Sequence, residues 1–390
     1  MKKYLILAAF AAVALGACTK VETTKETVDE PILFSAYSGR TATKAKPIGD
    51  AVELATQGGF GVFAYYTGNS AYTAATTTIP NFMFNQNVEG TISGTSVSAW
   101  TYSPIKYWPN NDSNQVNGEY AWVDKVSFFA YAPYTAVSNK TTGATANTVG
   151  ITKVTGNETP ISTENPTVTY VVATNPAQSV DLLYNDANTI DLTKQGVSGK
   201  VTFNFKHALT RLGFTVEGVF DETAPGSNDV DTNTKIYITS LSVTKAGGVP
   251  TGGTFDLYTK QWTANTTYAP LGVSTSNIPA DLKAGGSTGV TTTPVNLLNN
   301  DEYFMLLPDS AAAEYSITIE YDVITTDAAL SGGKSTITNN ITKKASIKLE
   351  AGKAYTIALQ LGMTTVKLSA TVVDWDDQTA TPIWLPVNNS

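Results

Sequence analysis

Residues 201–216 read Val-Thr-Phe-Asn-Phe-Lys-His-Ala-Leu-Thr-Arg-Leu-Gly-Phe-Thr-Val, and their alternation leaves little choice of local structure. Val201, Phe203 and Phe205 alternate with Thr202, Asn204 and Lys206, and Leu212, Phe214 and Val216 alternate in the same way. A period of two places one set of side chains on a buried face and the other in water, which describes a half-buried strand and not a helix. The two runs are joined by His207 to Arg211, near the midpoint of a 390-residue chain. Strand-like sequence of similar length lies on either side. This stretch is therefore expected to close one β-sandwich and open a second.

The rest of the chain agrees with an all-β reading. A length of 390 residues exceeds one ordinary core and predicts two domains. Charged residues make up only 15%, while the apolar fraction of 42% is enough for packed cores. Thr, Ser, Asn, Gly and Tyr fill the polar positions, and β-branched and aromatic side chains suit a pleated surface. The net charge of -8 and the lack of a basic patch argue against a nucleic-acid partner. One cysteine allows neither an internal disulfide nor a zinc cluster.

That cysteine has a use at the N-terminus. Met1-Lys2-Lys3 precedes an apolar run from Tyr4 to Ala17, too short to span a bilayer but suited to a signal peptide over residues 1–17. The run ends Leu15-Gly16-Ala17-Cys18, which resembles the bacterial lipobox and makes Cys18 the candidate lipidation site. More than one acyl chain at such a terminus suffices for stable anchoring. Residues 19–30 lack apolar periodicity and read as a tether. Next comes a short strand with Ile32, Phe34 and Ala36 on one face, then Arg40, Thr41, Lys44 and Lys46. Either this is a removable strand ahead of a protease-sensitive basic segment, or it is the first strand of the domain with solvated basic residues.

Two sandwich domains are expected, over residues 41–208 and 209–390. In the first, Ser138 to Pro166 reads as a long polar loop. The aromatic clusters Ile105–Pro109 and Val126–Tyr134 read as core packing, with a sugar-stacking platform as the other use of such rings. The second domain is dense in glycine turns. Its end carries a surplus segment, Thr381 to Val387, where Ile383, Leu385 and Val387 alternate with Trp384 and Pro386. Proline excludes a central strand there but permits an edge or added strand. Such a tail calls for a groove.

Catalytic chemistry finds little support. His207 is the sole histidine and lies in the seam, where a structural role is expected. Asp229 to Asn233 opens like a calcium loop, but Thr234 stands where glycine is required and Ser240 where the bidentate glutamate belongs. Ser331-Gly-Gly-Lys-Ser335 has Ala328 in place of the first glycine of a phosphate loop. No metal, cofactor or enzymatic activity is expected.

Taken in order, these features resemble the fimbrillin family, the pilins of Bacteroidales type V pili. The residues that carry the resemblance include Cys18, Ile32 to Arg40, Tyr107-Trp108-Pro109, Phe128 to Pro133, Asp181-Leu-Leu183 and Phe203 to Leu212. Phe255-Asp256-Leu257, Leu306-Leu-Pro308, Leu349 to Tyr355 and Asp374-Trp375 continue it. The resemblance implies two tandem transthyretin-like β-sandwich domains and a lipid-anchored precursor at the outer membrane. It also implies cleavage between Arg40 and Thr41 by an Arg-specific surface protease. The displaced strand would be the one bearing Ile32, Phe34 and Ala36, and a neighbouring subunit would donate Ile383, Leu385 and Val387 to an extracellular fimbrium. A tip or anchor subunit of the same pilus, or a surface lipoprotein binding a host-cell or glycan receptor, are the competing readings.

Overall fold

A computed structural model describes residues 30–38, 48–73, 81–109, 115–116, 119–120, 123–136, 147–154, 165–219, 233–299, 302–363, 366–375 and 381–383. The fold is all-β, as expected: among these residues the only α-helix is α1, Ala51–Thr56. Asp50 starts it, its Oδ1 accepting from the backbone N–H groups of Val52 and Glu53 at 2.8 Å. No helix was expected there, because six residues are too few to show a helical period.

The first half contains β1 (Leu33–Ser38), β2 (Phe60–Gly68), β3 (Met83–Ser93), β4 (Ser96–Thr101), the β5–β6 hairpin (Gln115–Val116, Glu119–Tyr120) and β7 (Lys125–Ala132). β8 (Gly150–Val154), β9 (Thr167–Val171), β10 (Leu183–Asn185) and β11 (Lys200–His207) follow. Seven of these form one sheet in the order β1-β11-β10-β7-β2-β3-β4. Its central strands β2 and β7 are buried on both faces, so one aromatic run serves two cores. Phe128 joins a cluster with Ile32, Phe34, Phe60 and Phe203, while Phe129 and Tyr131 point into the larger cluster that extends through the second half. α1 lies over the first cluster at Gly90, where a Cβ would come within 2.6 Å of Ala55 Cβ.

β8 corrects the sequence reading, which placed a continuous loop over Ser138 to Pro166. Ile151 and Val154 are buried, and β8 pairs antiparallel with β9. Two apolar residues in five give too weak a signal against so many Thr and Asn neighbours. β9 in turn pairs with a strand from beyond residue 208. The four-stranded sheet β15-β14-β9-β8 therefore draws on both halves, with β14 at Gly252–Asp256 and β15 at Gln261–Ala264.

The second half begins with β12 (Thr210–Gly218) and β13 (Thr234–Lys245). After β14 and β15 come β16 (Leu271–Val273), β17 (Val295–Asn296), β18 (Phe304–Leu306), β19 (Ala313–Thr326) and β20 (Lys334–Ile347). β21 (Lys353–Leu361), β22 (Val366–Asp374) and β23 (Thr381–Ile383) complete it. One sheet runs β17-β12-β21-β22-β23, with β18 also on β12, and a second runs β16-β13-β19-β20. Leu212, Phe214, Ile357 and Leu359 from the first share a core with Ile236, Leu241, Ile317 and Ile319 from the second. The phosphate-loop-like Ser331 to Ser335 lies in the turn between β19 and β20 and the start of β20.

Candidate functional site

β1 stands at the edge of the seven-stranded sheet and pairs parallel with β11, from Leu33 opposite Lys200 to Ser38 opposite Phe205. Its alternation does what the sequence predicts. Ile32, just before the strand, is fully buried, Phe34 is 3% exposed and Ala36 is half-buried against the same core. Leu33 and Tyr37, on the other face, are more than half exposed. The Phe34 ring lies 5.4 Å from that of Phe203, 5.1 Å from Tyr102 and 6.0 Å from Phe128.

Hydrogen bonds hold the same segment from two sides. Ile32 N–H donates to the Lys106 carbonyl at 2.9 Å, and the Tyr102 hydroxyl donates to the Ile32 carbonyl at 2.9 Å. Trp108 N–H donates to the Glu30 carbonyl at 2.9 Å, and Leu33 N–H donates to Gly199 at 3.3 Å. Trp108 Nε1–H also reaches the Gly199 carbonyl, at 3.1 Å. Burial keeps the Tyr102 hydroxyl protonated above the usual tyrosine range, although the Lys106 backbone bond works against this. Glu30 pairs with Lys194 at 2.7 Å. Burial of Ile32 and Phe34 contributes about 1.5–3 kcal/mol each, and each backbone bond about 1 kcal/mol net. A short edge strand held in this way is stable, yet removing it would expose one face of a finished core.

The seam forms a second, denser constellation. His207 Nδ1 lies 2.9 Å from Asp181 Oδ2, and both side chains are buried. The same carboxylate oxygen accepts from Ile48 N–H at 3.1 Å. On its other side the imidazole stacks on Trp375. Arg211 lies over Trp375 at 5.6 Å and over Tyr303 at 4.4 Å. His207 Nδ1 and Asp181 Oδ2 share one buried hydrogen bond. The histidine is thus structural, as the sequence suggested. Its partners Asp181 and Trp375 were visible as motif residues, but no local pattern announces that they meet.

The other expected site residues are placed as follows. The structure brings Ile32, Phe34 and Ala36 together in one core. Ile383 ends β23, which pairs antiparallel with β22, Ile383 opposite Ala370. Cys18, Arg40, Thr41, Leu385 and Val387 lie outside the described residues. Of the aromatic clusters, Trp108, Phe128, Phe129 and Tyr131 are core, each at most 4% exposed, whereas Ile105 and Tyr107 are each 46% exposed.

With this geometry in hand, comparison with known proteins is informative. The model of the Fimbrillin-like family matches residues 43–375. The fimbrium subunit Fim1C of Phocaeicola vulgatus is 25% identical over 365 residues, which is 85% of this chain and 85% of that protein. A fimbrial protein from Bacteroides vulgatus ATCC 8482, known from its crystal structure, superposes with a TM-score of 0.63 at 22% identity, covering 88% of this chain and 99% of that one. A match that takes in both halves and the seam between them shows that the chain belongs to the fimbrillin-like family.

Proposed function

We propose that this protein is a structural subunit of a surface fimbrium, made as a lipoprotein and polymerised by strand exchange. Cys18 would carry the lipid that holds the precursor at the outer membrane. An Arg-specific surface protease would cut between Arg40 and Thr41 and release β1 together with the anchor. The groove left on β11 would then take the tail of a neighbouring subunit, with Ile383, Leu385 and Val387 replacing Ile32, Phe34 and Ala36. Donor and acceptor are different surfaces, so the contact propagates as a filament and does not close. Residues 41–208 and 209–390 are proposed as its two domains, joined at His207.

The observation that carries this reading is β1 itself, a short edge strand whose buried side chains belong to a segment just ahead of a basic site. Family membership and the resemblance to a fimbrium subunit support it. The competing use of the two aromatic clusters as a sugar platform loses support, because Trp108, Phe128, Phe129 and Tyr131 are buried and Tyr107 is the exposed ring left beside them.

The test is treatment of the purified precursor with an Arg-specific protease, followed by N-terminal sequencing and gel analysis of assembly. A new terminus at Thr41 and ladders that vanish on deletion of residues 381–390 are expected. A chain that is cut but stays monomeric would sink strand exchange and leave the tip or anchor roles.

A further inference from the structure

The outer face of β1 is apolar where it meets the chain that follows β4. Pro31 bridges to Tyr107, and the bonds on either side run from Ile32 N–H to Lys106 and from Trp108 N–H to Glu30. This is the close, non-hydrogen-bonded kind of antiparallel pair, with both side chains on one face. The period of two brings Leu33 and Ile105 to that face as well, and Leu33, Ile105 and Tyr107 are all exposed. Lys200, opposite Leu33 on β11, is exposed beside them. An apolar patch therefore straddles the boundary between the strand that exchange would remove and the body that would remain.

The C-terminal tail repeats the local pattern of this strand. Pro31-Ile-Leu-Phe34 and Pro382-Ile-Trp-Leu385 share Pro-Ile followed by two large apolar residues. Proline on proline sets Ile383 and Leu385 in the places of Ile32 and Phe34, and Trp384 in the place of Leu33. Proline is tolerated at the first position, because the bonds beside the bridge come from the N–H groups of Ile32 and Trp108. The likeness ends after Leu385, since Pro386 stands where Ser35 stands and brings no N–H to a ladder.

The outward residue of the tail is the informative one. A strand with one face on a core and one in water alternates apolar with polar. Here the face opposite Ile383 and Leu385 carries an indole, the largest apolar side chain available. A tail of this kind needs cover on both faces. The groove left by β1 supplies one, and the exposed Ile105 and Tyr107 at its rim supply the other.

We propose that Trp384 of a second copy of this chain docks on the outer patch, between Ile105 and Tyr107 on one side and Lys200 on the other. The inference rests on the strand-exchange reading and adds to it a contact outside the core groove. Any alternating apolar strand could fill the groove, but the outward indole fits only a rim with an apolar patch, which selects this chain's own tail. It also fixes register, because a slip of one residue would turn Trp384 into the core. Lys200 adds a cation–π attraction. In the uncut chain Leu33 holds this place, and Thr381–Ile383 pairs with β22 instead.

The test uses subunits cut after Arg40, which have lost Cys18 and hold no other cysteine. Tyr107→Cys subunits are mixed with Pro382→Cys subunits under mild oxidation. The bridge position sets the Cα atoms about 4.5 Å apart, inside the disulfide range. Disulfide-linked dimers are expected from the mixture and from neither variant alone. Thr381→Cys in place of Pro382→Cys should give none, because its side chain faces the other way. Dissociation of ladders on dilution is the second readout. Trp384→Ser and Tyr107→Ser ladders should each come apart about tenfold faster than the parent's, and the double variant no faster than either, as for two residues in contact. Trp384→Phe should stay within about threefold of the parent. Equal cross-linking from Thr381→Cys, or Trp384→Ser ladders as durable as the parent's, would overturn the proposal and leave strand exchange intact. An unsubstituted cut chain that forms no ladders would overturn strand exchange itself, and this contact with it.

Discussion

His207 and Trp375 stack face to face across 168 residues of sequence, their ring centroids 4.0 Å apart and their planes 4° from parallel. The contact joins the end of β11 in the first half to the residue that follows β22 in the second. Asp181 fixes the imidazole from the other side and also holds the backbone of Ile48. The seam thus ties Ile48 and Trp375 to the end of β11.

Truncation at this seam should be costly. Trp375→Ala is expected to lower stability by about 3–5 kcal/mol, the usual cost of removing a large buried ring. His207→Phe keeps a ring on Trp375 but removes one of the two hydrogen-bond partners of Asp181 Oδ2, and losing such a buried bond costs about 1–3 kcal/mol. Urea unfolding of each variant measures both, as a lower midpoint at an unchanged slope. If His207→Phe unfolds like the parent, the Asp181 contact does not matter to the fold.

Phe34 tests whether β1 is a separable unit. Phe34→Ala is expected to cost about 3–5 kcal/mol in the uncut chain, but locally. Hydrogen exchange should quicken in β1 and in the β11 amides that face it, with β12 and β21 unchanged. Equal quickening across both halves would mean that β1 is an integral part of one cooperative core, which strand exchange could not easily remove.

Alkali offers a third test. Burial raises the hydroxyl pKa of Tyr102, of Tyr184, which Asp186 raises further, and of Tyr321. A tyrosine whose folded pKa lies above its unfolded value leaves stability untouched below about pH 10, and stability falls as pH rises beyond it. The uncut chain should therefore lose stability steeply above that pH. Tyr102→Phe should flatten the fall by up to one proton's worth of slope, and lower the plateau by about 1 kcal/mol through loss of the bond to Ile32. Urea midpoints measured across the alkaline range check both, and an unchanged slope would show that Tyr102 ionises without cost in the fold.

How much of this was legible in the sequence differs element by element. The faces of β1 and of the seam strands follow from period-two alternation, and the structure places Ile32, Phe34, Val201 and Phe203 in one core. The run Val126 to Ala132 reads as core, but its lack of alternation conceals that Phe128 and Phe129 enter different clusters. β8 and α1 were missed because five or six residues carry too little periodic signal. The meeting of Asp181, His207 and Trp375 could not be read at all, since it depends on how distant strands pack.

β20 carries the last prediction. It is a 14-residue edge strand, paired with β19 in unbroken register from Lys334 to Ile347. A long edge without a bulge invites pairing with another chain. Its inward face reads Asn339, Ile341, Lys343, Ala345, Ile347, with Lys343 opposite the buried Ile317. A lysine on the inward side of an edge strand lets its own sheet keep the charge partly solvated, whereas a strand added from a second molecule would bury it. Lys343→Ile is therefore expected to leave stability equal or higher and to make the uncut subunit associate. Light scattering over a concentration series reads this directly. A Lys343→Ile variant that stays monomeric wherever the parent does would show that the edge is guarded by something other than this charge.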